Sequence, residues 1–163
     1  MTKSSRRDTL MDGVIYRKLE WGDIDRFIEL RKTQLAEEGA DVKTDITDNL
    51  LAYYEKHLND GTFVSWIATV EGEIIATSGI SFVEQPPHYG NPLGLIGILS
   101  SMYTIETYRR KGIAKKLLAY VVNEAKEYGC AAVHITSAHM GTYLYQDFGF
   151  KRYDRFYRYK LHS

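Results

Sequence analysis

A short apolar run, a polar turn and then apolar residues at helical spacing, all between Leu95 and Glu124, constrain this chain more than any other feature. Leu95–Thr104 is rich in Ile, Leu and Tyr and bounded by Gly94, which predicts a buried strand. From Ile113 the apolar residues Leu117, Leu118, Val121, Val122 and Ala125 recur on one helical face. Arg109, Arg110, Lys111, Lys115 and Lys116 crowd the start of that helix. Cations there are unfavourable by roughly 0.3–1 kcal/mol each, because a helix N-terminus carries about half a positive charge. An anion on the free backbone N–H groups removes the penalty, so the turn is read as a diphosphate cradle.

The residue order excludes two common cradles. A Walker loop needs Gly-Lys-Ser/Thr, whereas Lys111 precedes Gly112 and Ile113 follows it. The three glycines of a dinucleotide fingerprint are absent. Basic and acidic residues balance at 21 each, which does not favour nucleic acid as a partner. Hydrophobic content of 44% describes an ordinary soluble protein, and 163 residues are long enough for a real core in one domain. The lone Cys130 excludes a disulfide framework and fits a reducing, cytoplasmic setting. No stretch is long and apolar enough to predict a membrane span, and no metal site is expected.

Along the chain, 1–13 is polar and without apolar periodicity, and is expected to be a flexible tail ahead of a single domain, 14–163. Val14–Leu19 alternates as a strand. Asp23 is placed to cap a helix carrying Ile24, Phe27, Ile28, Leu30 and Leu35, ended by Gly39. A second helix starts at Asp45 or Thr47 and closes at Asn59-Asp60-Gly61. Thr62–Val70 and Glu73–Val83 flank Glu71-Gly72 as a hairpin, and Pro86, Pro87 and Pro92 mark a loop. After the central strand and helix, Ala131–Ser137 reads as a strand and Gly141–Phe148 as a short helix. Phe150–Leu161, with Tyr153, Phe156, Tyr157 and Tyr159, reads as one or two closing strands.

Arg109-x-x-Gly112-x-Ala114 resembles the Arg/Gln-x-x-Gly-x-Gly/Ala signature of the GNAT N-acetyltransferase superfamily, and Leu144-Tyr145-Gln146-Asp147-Phe148-Gly149-Phe150 resembles that family's Leu-Tyr-x-x-x-Gly-Phe segment. The order of elements matches too, so the resemblance covers Val14 to the C-terminus. It implies an α/β (α+β) fold, with a central mixed, mostly antiparallel sheet of six to seven strands flanked by about four helices. It also implies acetyl-CoA as cofactor, and direct attack of a primary amine of a small molecule or protein on the thioester. A non-catalytic acyl-CoA-binding partner on the same fold is the alternative.

By this resemblance the backbone of Met102, Tyr103 and Thr104 pairs with the pantetheine arm, so Ser100–Thr104 should splay from its neighbour with a bulge. Arg110, Lys111, Gly112, Ile113, Ala114 and Lys115 would contact the diphosphate, mainly through backbone amides. Arg109 and Lys116 are open between that role and solvated surface charge. Thr136 and Ser137 would touch the pantetheine, and Ala138 stands where many members carry an asparagine. Spacing alone reads Tyr145 as core packing; the resemblance makes it the general acid at the leaving sulfur.

An amine with pKa about 10.4 is neutral in about one molecule in 2,500 at pH 7, so a base is needed. Glu84, beside the proline-rich loop, ranks first, ahead of His88 and His139. Between Glu37 and Asp60 seven acids face two lysines, Lys43 and Lys56. The acids are Glu37, Glu38, Asp41, Asp45, Asp48, Glu55 and Asp60, and they point to a cationic acceptor. Trp21, Tyr53, Tyr54 and Trp66 are read as core first and as an apolar wall second. An exposed C-terminal strand would make a homodimer a further expectation.

Overall fold

A computed structural model of the chain describes residues 13–136, 141–154 and 156–162. The expected tail, 1–13, lies outside these apart from Gly13, as do Ser137, Ala138 and His139.

Strand β1 (Val14–Lys18) leads through a 3-10 turn at Trp21–Asp23 into α1 (Ile24–Glu37) and α2 (Thr47–Asp60). The next strands are β2 (Phe63–Val64), β3 (Trp66–Val70), β4 (Glu73–Glu84) and β5 (Leu95–Thr104). Helix α3 (Ile113–Tyr128), β6 (Ala132–His134) and α4 (Thr142–Phe148) follow. The six strands form one sheet in the order β1-β3-β4-β5-β6, with β2 pairing β4. Every pairing is antiparallel except β5–β6. Six strands and four α-helices agree with the fold read from the sequence.

Period-two alternation decides which helices cover which face. On β3, Ile67 packs with Phe27, Ile28, Tyr54 and Phe63 under α1 and α2. Its neighbour Ala68 points the other way, toward Ile113 and Leu117 of α3. Leu117, Leu118 and Val121 are fully buried, each worth about 1.5–3 kcal/mol, which fixes α3 across β4 and β5. Because β4 is covered on both faces, its Ile74–Ile80 run is continuously buried rather than alternating. Glu71 and Gly72, at φ +50 and +80, make the two-residue turn joining β3 to β4.

Four expectations need correction. The first hairpin strand breaks at Ser65, between β2 and β3. Asp23 does not cap α1, because its carboxylate turns back to accept from Glu20 N at 2.9 Å and from Arg17 Nη1 at 2.7 Å. The expected strand Ala131–Ser137 contributes only Ala132–His134 to the sheet. The described residues of 150–162 form no strand, and Phe156 and Tyr157 stand 89% and 96% exposed. Alternating aromatics set strand propensity, but a strand also needs a partner's backbone groups. Among the described residues no helix is long and apolar enough to cross a membrane.

Candidate active site

The site begins with a mismatch between β4 and β5. They pair regularly from Glu84–Leu95 to Gly79–Ser100, and again at Thr77–Tyr103 and Ala76–Thr104. Between those stretches Ser78 alone opposes Ser101 and Met102, the two-against-one count of a β-bulge. Ser101 adopts φ +57, which costs a non-glycine residue roughly 1–3 kcal/mol. Two side chains hold the kink. Thr77 Oγ1 donates to Ser101 O at 2.7 Å, and Gln34 Nε2 of α1 donates to Met102 O at 3.2 Å.

On its other edge β5 loses its partner. β6 pairs only with Ile96, Gly97 and Ile98, and beyond His134 the two strands part. A cleft of about 970 Å³ opens there, with Leu99–Thr104 on one wall and Ile135, Thr136 and Tyr145 on the other. The expected splay at Ser100–Thr104 and the bulge are therefore both present.

The floor is the turn into α3. Arg110 (φ +61) and Gly112 (φ +79) are both left-handed, the backbone pattern that gathers N–H groups into an anion-binding concavity. Gly112 is the N-cap and has no side chain to offer the first turn. The first intrahelical bond is Lys116 N to Gly112 O, so the N–H groups of Ile113, Ala114 and Lys115 are not used by the helix itself. A Cβ built on Gly112 would meet no protein atom within 4 Å. The glycine is required there by its backbone angle and faces open space.

The crowded cations divide into distinct roles. Arg109 is a brace: Nε donates to Thr104 O at 2.8 Å and Nη2 to Glu37 Oε2 at 3.2 Å. Lys115 bridges to Asp147 of α4 at 2.8 Å. Lys111 and Lys116 lie 5.3 and 5.1 Å from the ring centroids of Tyr108 and Tyr16. Arg110 lines the cleft.

Tyr145, 7% exposed, sits in the far wall. Gly141 makes its room, since a Cβ there would lie 2.6 Å from the ring. Burial, and secondarily the charge of Glu38, push the phenol up to about 12. Glu38 caps the end of α1 and lines the cleft. It accepts from Gln34 Nε2 at 3.1 Å, and Gln34 Oε1 accepts from Arg31 Nη1 at 3.0 Å. Neighbouring Glu37 takes the Tyr103 hydroxyl as well as Arg109.

The structure thus gathers Met102, Tyr103, Thr104, Arg109, Arg110, Gly112–Lys115, Thr136 and Tyr145 around one cleft. Lys111 is not among its lining residues, and Ser137 lies outside the described residues. Glu84 is a correction. It pairs with Leu95 at the start of β5, about 20 Å along the strand from the bulge, because β4 runs antiparallel to β5. His88 belongs to the same remote loop, where it accepts from Gly90 N. Of the acids in the rim only Glu37 and Glu38 reach the cleft; Asp45 and Asp60 bind the hydroxyls of Thr47 and Thr62. Tyr53 and Tyr54 pack with Phe63, Trp66 stacks on Tyr120, and Trp21 is half exposed. Sequence reading missed Arg31 and Gln34 altogether. Their spacing with Glu38, three then four residues, was the available sign of a shared helix face.

Comparison with known proteins finds the same fold. A crystal structure of a predicted acetyltransferase from Clostridium acetobutylicum, solved with acetyl-CoA, superposes with a TM-score of 0.88 at 36% identity, covering 91% of this chain and 96% of that one. A GCN5-related N-acetyltransferase from Ralstonia eutropha JMP134 gives 0.83 at 25% identity, with 91% and 99% covered. An aminoglycoside N-acetyltransferase in complex with coenzyme A shares the fold, at TM-score 0.72 and 21% identity, with 90% and 93% covered. None of the curated proteins matches the sequence. The sequence model of the acetyltransferase (GNAT) family matches residues 25–150, most of the chain, and the protein belongs to that family.

Proposed function

We propose that this protein transfers an acetyl group from acetyl-CoA to a primary amine, the amine attacking the thioester directly. One observation carries the reading. A strand edge stripped of its partner, a helix start with unused N–H groups and a buried tyrosine converge on one cleft. Open space at Gly112 fits a diphosphate in the cradle, and the bare edge of Met102–Thr104 fits an extended amide-bearing arm. The relative at 36% identity was solved with acetyl-CoA, which supports the same ligand here. When bound, acetyl-CoA supplies an acetyl group activated as a thioester.

The chain's own groups then divide the work. Backbone N–H groups of Ile113–Lys115, with Arg110, offset the diphosphate charge. A backbone N–H at Met102 or Tyr103 is the candidate donor to the carbonyl oxygen, and the bulge aims it. Tyr145, at about 12, keeps its proton across the whole working pH range. Handing that proton completely to a thiolate of ordinary basicity, near 8.5, costs roughly 5 kcal/mol. The hydroxyl therefore acts mainly by donating a hydrogen bond to the departing sulfur. Glu37 and Glu38 at the cleft edge favour a cationic acceptor. The single thiol, Cys130, suits a reducing compartment such as the cytoplasm.

A panel of amines with acetyl-CoA, followed by thiol release, tests the reading. Tyr145→Phe is expected to lower turnover about 10- to 100-fold while leaving CoA affinity within about twofold. CoA-induced thermal stabilisation without thiol release from any amine would identify a binding partner rather than an enzyme.

A further inference from the structure

We propose that Glu38 is the general base, taking the proton from the acceptor nitrogen, and that Gln34 is the positioning residue that aims it. The inference rests on the acetyl-transfer reading and supplies the group that reading lacks.

Three observations lead to Glu38. It reaches the same cleft as the bulge and Tyr145, whereas Glu84 lies at the other end of β5. It is also uncompensated. Glu37 is neutralised by Arg109 and hydrogen-bonded by Tyr103, while Glu38 is in no ion pair among the described residues and accepts only from the neutral Gln34 amide. An approaching ammonium therefore finds one full negative charge to pair with. Third, Gln34 is 6% exposed, and its amide nitrogen is shared between Glu38 Oε1 and Met102 O. One buried side chain thus fixes the carboxylate relative to the strand that is to present the thioester. Arg31 completes the bracket by donating to Gln34 Oε1, so the amide cannot flip without losing a bond.

The protons balance. The ammonium gives one proton to Glu38, which releases it to solvent. The nitrogen forms its bond to the acetyl carbon and gives up a second proton to Glu38 as the carbon–sulfur bond breaks. That proton returns through water to the sulfur, held meanwhile by the Tyr145 hydroxyl. The net products are the amide, the free thiol and one proton in solvent.

The charged and titratable groups lining the cleft with Glu38 are Arg31 and Glu37 on its own helix, Tyr103 on β5, Tyr108, Arg109 and Arg110 in the turn, Lys115 on α3, and Tyr143 and Tyr145 on α4. Tyr145, about 12, does not titrate below pH 10. In the wild type, thiol release with the best amine of the panel is expected to be flat from pH 7 to 9. Glu38→Gln should lose about 10²-fold at pH 7. The loss should shrink to less than tenfold by pH 9.5, where the free amine supplies itself, and CoA affinity by calorimetry should stay within twofold. Gln34→Ala, which leaves the base in place but unaimed, should lower the rate at pH 7 and, as with Glu38→Gln, lose less at pH 9.5.

A second readout needs no acceptor. In protein labelled with 13Cζ-tyrosine, assigned with Tyr145→Phe, Glu38→Gln should lower the midpoint of the Tyr145 titration. An unchanged midpoint, or an equal loss of rate at pH 7 and 9.5, overturns the proposal. No thiol release by wild-type protein that binds CoA and shows the Tyr145 shift would overturn acetyl transfer itself, and with it Glu38 as base.

Discussion

The two halves of β5 belong to one strand and meet opposite fates. Ile96–Ile98 is paired on both edges, antiparallel to β4 and parallel to β6. Gly97 there is pressed so closely that a Cβ would lie 2.8 Å from Ile80 Cδ1 and 3.3 Å from Ala125 Cβ. Ser101–Thr104 keeps only β4, is kinked by a bulge, and turns its free edge to the cleft. The closed half contributes packing and the open half contributes unused backbone hydrogen-bonding groups. The site is thus an extension of sheet chemistry: where the protein stops supplying a neighbouring strand, a ligand with amide groups can take its place.

That division can be broken experimentally. The largest effect is expected at the floor of the open half. Gly112→Val forces a β-branched residue into φ +79 and fills the cradle, so CoA affinity should fall about 100-fold, or about 2.7 kcal/mol, in a calorimetric titration. A loss of folding stability as large as the loss of affinity would reduce Gly112 to a turn residue. Next, Gly97→Val overpacks the closed half and should lower unfolding free energy by about 1–3 kcal/mol in urea. CoA binding by the folded fraction should be unchanged; weaker binding would mean the two halves are coupled. The smallest effect is expected at Lys115. Its pair with Asp147 is solvent-exposed and screened, so Lys115→Ala should barely shift the melting temperature. If Lys115 also serves the diphosphate, CoA affinity should drop severalfold at low salt and less at high salt.

Local chemistry carried much of this into the sequence. The apolar run, the turn and the 3.6-residue stripe from Ile113 to Ala125 placed β5 at its observed limits and α3 at its observed start. Glu71-Gly72 announced its hairpin because few residue pairs tolerate two left-handed angles in succession. The cradle was legible for the same reason: glycine and clustered cations at a helix start are an electrostatic statement made within eight residues. Glu84, by contrast, was chosen from nearness in sequence to a loop, and antiparallel pairing carried it away from the bulge. Gln34 was unreadable as a partner of Met102, which lies 68 residues away, and so was Glu38 as the carboxylate that Gln34 holds beside that strand.

What the sequence determined by itself is the set of elements and the anion-ready turn, because these depend on spacing and backbone angles within one segment. Only the tertiary structure decided which carboxylates reach the cleft, that Arg109 and Lys115 hold the protein's own groups, and that burial pushes the Tyr145 phenol up. Those outcomes depend on desolvation and on contacts between distant segments. Both exist only once α1, β5 and α4 have been brought against one another by the core.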